Sequence, residues 1–213
     1  MDFLDSELEE YIINHTTKES EVLYDLNRKT HLNVLQPRML SGHLQGRVLS
    51  MLSKMIQPKR ILEVGTYTGY AAICLAEGLQ KDGKLITIDI NYELEEMVKS
   101  YVDKANMSSK IELKIGNALE IIPTLDKNFD LIFIDADKEN YSNYYDLLID
   151  DLPSNSYIIA DNVLWSGKVL HKHDQQDRDT RELVLFNEKI HNDSRVENVL
   201  MPIRDGLMVI RKK

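Results

Sequence analysis

The chain has 213 residues, 43% of them hydrophobic and 29% charged, a balance that suits one soluble globular domain with a real core. Its formal net charge of −9 argues against a broad nucleic-acid surface, leaving only Arg28, Lys29, Arg38 and Arg47 as a local basic patch, for which solvated charge is the simpler reading. No stretch is apolar for long enough to span a bilayer, and the opening Met1-Asp2-Phe3-Leu4-Asp5-Ser6-Glu7 is acidic where a secretory leader is basic and then apolar, so the expected location is the cytoplasm, with no membrane partner.

From residue 1 to about 56 apolar residues recur at helical spacing: Leu4, Leu8, Tyr11 and Ile12, then Leu40, Leu44, Val48, Leu52 and Met55. This segment reads as a helical cap on an α/β core running from 57 to 213, the whole forming a single domain. After Pro58, short apolar runs alternate with amphipathic segments, as in a doubly wound sheet. The runs predict strands at Arg60–Val64, Lys84–Ile90, Lys110–Ile115, Phe129–Asp135 and Ser156–Asp161, with helices at about 69–80, 91–106, 117–124 and 141–151 between them. A polar loop over about 166–177 and a helix to about His191 follow. Two final strands, Val196–Met201 and Leu207–Arg211, flank Pro202-Ile203-Arg204-Asp205-Gly206, a hairpin-length connection that turns the last strand antiparallel. Cys74 lies in an apolar stretch and has no second cysteine to pair with, which suits a buried structural side chain.

Sheets of this kind bind ligands at the carboxyl ends of their parallel strands. The first strand runs into Gly65-Thr66-Tyr67-Thr68-Gly69-Tyr70, where glycines allow a tight turn and close approach of a ligand, although the same residues also suit a plain strand-to-helix turn. The G-x-G-x-x-G spacing that seats a dinucleotide pyrophosphate is absent, which disfavours a nicotinamide-dependent dehydrogenase. The second strand delivers Asp89 about 20 residues past that loop, placed to accept the hydroxyls of a ribose. Asp89 could alternatively cap the helix beginning near Asn91, and Asn117 could cap a helix where Gly116-Asn117-Ala118 offers a small-residue turn for an adenine.

The fourth strand delivers Asp135, Asp137 and Lys138, and the fifth delivers Asp161 and Asn162. Two carboxylates and an amide at neighbouring strand ends suit a hard divalent cation, magnesium first with calcium or manganese as alternatives, over zinc. Lys138 could instead be a surface lysine pairing with Asp137 or Glu139. His171-Lys172-His173 sits in the polar loop without a third ligand at suitable spacing and reads as solvated flap.

Together, Glu63-Val64-Gly65-Thr66-Tyr67-Thr68-Gly69-Tyr70, Asp135-Ala136-Asp137-Lys138-Glu139-Asn140-Tyr141 and Asp161-Asn162-Val163-Leu164-Trp165 resemble the cation-dependent O-methyltransferases, which include catechol and caffeoyl-CoA O-methyltransferases. The resemblance spans nearly the whole chain and extends to Asp205-Gly206 before the last strand. It implies a Rossmann-like seven-stranded mixed sheet with an antiparallel last strand, and methyl transfer from S-adenosylmethionine to a hydroxyl. It further implies that Asp135, Asp161 and Asn162 hold the metal, and that Lys138 is the general base. Glu63, Gly65, Tyr67, Ala71, Asp89, Ala118, Asp135 and Asp137 are implied to line the cofactor site, closed by Met39 and Ser41, in a homodimer built partly through the opening helices. The expected acceptor is a catechol-like small molecule with vicinal hydroxyls, and the main alternative is a wobble hydroxyuridine in transfer RNA, against which the acidic charge leans. A catalytically idle cofactor-binding module is the reading from a different class, and the intact Asp135, Lys138, Asp161 and Asn162 speak against it.

Overall fold

A computed structural model of the chain describes residues 5–213. Its strands form a seven-stranded mixed sheet in the order β3-β2-β1-β4-β5-β7-β6, and the described residues divide into two compact units, 5–116 and 117–213.

The first unit opens with helices α1 (Ser6–Asn14), α2 (Glu21–Asn33) and α3 (Gly42–Ile56). Asp5 and Ser20 start α1 and α2 by accepting backbone N–H groups that have no partner within the helix. Strands β1 (Arg60–Val64), β2 (Lys84–Asp89) and β3 (Ile111–Ile115) follow, all parallel, joined by α4 (Tyr70–Ala76) and α5 (Glu95–Lys104). Every residue of α4 is buried, as its apolar sequence on all sides requires.

The expected opening helices are present; α2 buries Leu23 and Leu26, and Leu40 just before α3 is buried, but the other described apolar residues noted at helical spacing are not. Leu4 lies outside the described residues, and α1 buries nothing: Leu8, Tyr11 and Ile13 are exposed. In α3 the fully buried face is Gln45, Gly46, Leu49, Ser50 and Ser53, while Leu44, Val48 and Leu52 are half-buried and Met55 is exposed. The physical reason is how close α4 comes. A Cβ on Gly46 would lie 2.6 Å from the Tyr70 ring and 2.9 Å from Cys74 Sγ, and the Ser53 hydroxyl donates to Leu75 O at 2.6 Å. Only small side chains fit such a contact, and the bulky stripe is turned aside.

The second unit carries α6 (Ala118–Ile121), β4 (Leu131–Ile134), α7 (Tyr141–Ile149), β5 (Tyr157–Asp161), α8 (Arg178–Asn192), β6 (Val196–Met201) and β7 (Leu207–Lys212). Strands β4 and β5 are parallel, and β7 is antiparallel to both β5 and β6, so the 202–206 connection is a hairpin as expected. Every residue of β4 is buried. The ladder is shorter than the apolar run: Phe129, Asp130 and Asp135 lie outside it, and likewise Ile90 lies beyond β2 and is exposed. The polar loop after β5 contains two short 3-10 stretches, Trp165–Leu170 and His173–Gln175, before Asp177 caps α8 through the Thr180 N–H. Among the described residues no helix is long and apolar enough to cross a membrane.

Candidate active site

In the first unit, the loop after β1 is shaped by backbone conformation. Gly65, Tyr67 and Gly69 all have positive φ, at 100°, 50° and 86°. At Gly69 a Cβ would also press on Val98 Cγ1 at 3.2 Å, so glycine is required both for conformation and for the close passage of α5. The Asp89 carboxylate, at the end of β2, accepts the Tyr67 N–H at 2.6 Å and the Asn91 N–H at 2.8 Å. Asp89 does not cap the helix that follows: the cap is Asn91, whose side chain accepts the Glu93 N–H at 3.0 Å, and Asp89 braces the turn before it. Each oxygen holds one amide, and a carboxylate has further lone pairs for a ribose.

Beneath the loop, Glu63 has no exposed surface; its Oε2 accepts from the Thr87 hydroxyl, which is also paired with the Thr66 hydroxyl. Sequence reasoning did not anticipate Thr66 and Thr87, whose only signal is hydroxyl side chains in otherwise apolar surroundings. The Tyr67 hydroxyl donates to Leu35 O at 3.2 Å and Gln36 O at 3.3 Å, tying the loop to the short 3-10 turn Pro37–Met39. Burial raises the Tyr67 phenol above its ordinary value. Met39 is exposed, whereas Ser41 and Ala71 are buried.

In the second unit, Asn117 caps α6 by accepting the Leu119 N–H at 3.0 Å, and Ala118 behind it is buried. The register of β4 and β5 pairs Ile134 with Ala160, so the next residues, Asp135 and Asp161, leave neighbouring parallel strands at the same level. Asp161 is only 2% exposed, and its Oδ1 accepts the N–H of Asn162, which turns away with a left-handed φ of 59°. Lys138 is 8% exposed; its Nζ donates to Asp135 Oδ1 at 3.1 Å and to the Tyr141 hydroxyl at 2.6 Å. Lys138 is thus buried and paired with Asp135, while Glu139 pairs with Arg178 instead. Asp137 is exposed and accepts from Asn140 and from the Tyr144 hydroxyl.

Tyr141 was not anticipated as a site residue. Fully buried, its hydroxyl donates toward Asp161 O at 3.0 Å, bridging the loop after β4 to the end of β5. Burial pushes that phenol well above its ordinary range, and the charges of Asp135, Asp161 and Asp137 add to the effect. The Trp165 ring lies 5.8 Å from Lys138 Nζ. Among the described residues no trio of His, Cys, Asp and Glu is arranged to hold a metal. His171 and His173 are exposed.

The family described as O-methyltransferase matches residues 13–213. The chain belongs to the O-methyltransferase family. Caffeoyl-CoA O-methyltransferase 1 of Nicotiana tabacum is 37% identical to it over 179 residues, covering 79% of this chain and 75% of that one. Among solved structures, the O-methyltransferase TomG from Streptomyces achromogenes, in complex with SAM, is 28% identical with a TM-score of 0.88, covering 97% of this chain and 96% of that one. An O-methyltransferase from Bacillus cereus, in complex with SAH, is 25% identical with a TM-score of 0.89, covering 97% of each chain. This methyltransferase therefore has the mixed-sheet α/β fold expected from its sequence, and it is an enzyme of O-methyl transfer.

Proposed function

We propose that the enzyme moves the methyl group of S-adenosylmethionine to one hydroxyl of a catechol-like small molecule, with a divalent cation, magnesium first, held by Asp135, Asp161 and Asn162. The observation that carries this reading is the strand register: it brings a nearly buried carboxylate, Asp161, and a second carboxylate, Asp135, to one level of neighbouring strands, with Lys138 beside them. Two carboxylates and an amide oxygen are the donor set of a hard cation, and concentrated negative charge with little exposure fits one.

Asp89 and the loop residues Gly65 and Tyr67 hold the ribose and backbone-facing parts of the methyl donor, over a floor braced by Glu63. Met39, Ser41, Ala71, Ala118, Asp135 and Asp137 complete its surroundings. Bound S-adenosylmethionine supplies an electrophilic methyl on a sulfonium. A divalent cation held by Asp135, Asp161 and Asn162 would make the acceptor hydroxyl easier to ionise. Lys138 accepts the hydroxyl proton at Nζ, and Asp135 and the Tyr141 hydroxyl keep that nitrogen in place. Trp165 offers an aromatic face to a planar acceptor near Lys138. The chain works as one catalytic domain in the cytoplasm, a location that its single cysteine fits. It pairs as a homodimer, for which the exposed Leu8, Tyr11, Met51 and Met55 are the supporting feature.

The test is transfer of labelled methyl from S-adenosylmethionine to catechol and, separately, to transfer RNA with and without hydroxyuridine, each with magnesium or with chelator. Metal-dependent labelling of catechol is the expected result. Labelling of hydroxyuridine RNA alone would replace the acceptor, and full activity under chelator would remove the cation from the reading.

A further inference from the structure

The segment Asn162–Gly167 is the most contorted stretch of the second unit. Asn162, Trp165, Ser166 and Gly167 all have left-handed φ, at 59°, 47°, 53° and 79°. For a tryptophan and a serine in succession this conformation is disfavoured, so the surroundings must hold it. Within the turn itself, the Trp165 N–H donates to Asn162 O at 3.1 Å and the Gly167 N–H to Leu164 O at 2.9 Å. The remaining bonds come from elsewhere in the unit. Asn187 on α8 donates its side-chain amide to Val163 O at 2.9 Å. From the β6–β7 hairpin, Gly206 O accepts the Val163 N–H at 3.2 Å and Asp205 O accepts the Leu164 N–H at 2.9 Å.

One side chain of the hairpin completes the set: the Asp205 carboxylate accepts the N–H of Ser166, the residue after Trp165, across 39 positions of sequence. The hairpin sits hard against the turn, since a Cβ on Gly206, itself at φ 89°, would fall 2.5 Å from Leu164 Cγ. Trp165 Nε1 is buried and has no hydrogen-bond partner among the described residues. Among those residues, the indole is held in place by its backbone and its packing.

We propose that Asp205 is a positioning residue for the acceptor: by binding the Ser166 N–H it locks the left-handed turn that sets the Trp165 ring against Lys138. The inference rests on the reading of Lys138 as the base on the acceptor side. The hairpin thereby acts on the reaction from outside the metal set, and the hairpin residue tunes acceptor binding without touching the methyl donor.

Trp165 is the only tryptophan in the chain, so fluorescence excited beyond the absorption of its 10 tyrosines reports this turn alone. In Asp205→Ala the emission is expected to shift to longer wavelength and acrylamide quenching to rise by about twofold or more as the indole loosens. The KM for catechol rises while the KM for S-adenosylmethionine holds. Asp205→Asn, whose amide oxygen can still accept the N–H, is expected to keep the parent's emission and quenching. In the unmodified protein the Ser166 amide, on an exposed residue, should exchange at least about tenfold more slowly than a free amide. Unchanged Trp165 emission and quenching in a folded Asp205→Ala protein would overturn the proposal, as would an Asp205→Asn protein that behaves like the alanine variant. If Asp205→Ala does not fold, the exchange rate of Ser166 decides alone, fast exchange overturning it. The fluorescence and exchange readouts need no turnover, so their failure is separable from failure of any acceptor to be methylated.

Discussion

Lys138 Nζ donates to Asp135 Oδ1 and to the Tyr141 hydroxyl, two acceptors that hold the nitrogen beside the carboxylates. Replacing it by methionine keeps the length and removes the base, so Lys138→Met should lower kcat by roughly 10²–10⁴-fold. Calorimetric binding of S-adenosylmethionine should be unchanged, and a Lys138→Met enzyme with near-normal kcat would remove the base assignment. The Cys74 thiol gives the opposite expectation at the same scale. Burial pushes it up to about 12, with Arg47 only partly opposing, so it stays protonated and inert near neutral pH. Reaction with a disulfide reagent should be slow in the native protein and rapid after denaturation; fast native labelling would contradict the packing of α3 on α4. The residues legible in the sequence are those that a strand end delivers directly: Asp89, Asp135 and Asp161 each follow an apolar run. Tyr141, Thr87 and Asp205 were not legible as working parts, because their partners lie 20, 24 and 39 positions away and only the fold brings them together.

At the scale of elements, the strands were the most readable, since an apolar run between turn residues has few other uses; β1 and β6 keep the bounds their sequences predict. Helical periodicity located α3 but not its buried face, because the period says which residues share a face and the neighbour decides which face is covered. Here α4 demands small residues, and the charge that accompanies the contact is Glu77, just past the end of α4. Burial alone would raise its carboxyl, but hydrogen bonds from Arg47, Ser50 and Lys54 outweigh that and hold it at about 2, below its ordinary 4.5. A carboxyl depressed on folding stabilises the native state fully above its unfolded value and loses that contribution as pH falls through the folded one. Stability should therefore decline between about pH 5 and 2, and Glu77→Gln should flatten that part of the profile in thermal melts. A profile unchanged by Glu77→Gln would mean that other carboxyls carry the acid response. The same contact predicts that Gly46→Ala, which drives a methyl into Tyr70 and Cys74, costs about 1–3 kcal/mol, read as a lower midpoint in urea.

At the scale of the whole molecule, the question is what covers the apolar surface that the opening helices leave outside. Leu8 and Tyr11 on α1 and Met51 and Met55 on α3 are each 48% exposed or more, and α1 contributes no residue to any core. A helix with an apolar stripe and nothing beneath it gains little from folding alone, and methionines adapt readily to a partner surface. A formal charge of −9 opposes self-association at long range, so contact must come from an apolar patch large enough to outweigh it, and that repulsion weakens with salt. Light scattering coupled to gel filtration should therefore find about twice the 24.7 kDa chain mass, with dimer favoured further at higher ionic strength. Met51→Glu combined with Met55→Glu places charge on that surface without entering the α3–α4 contact, and should shift the population to monomer while leaving far-ultraviolet circular dichroism unchanged. If the unaltered protein runs as a monomer at all salt concentrations, the homodimer is wrong and these side chains are solvent-exposed in the working enzyme. If the double variant remains dimeric, the chains associate through some other surface.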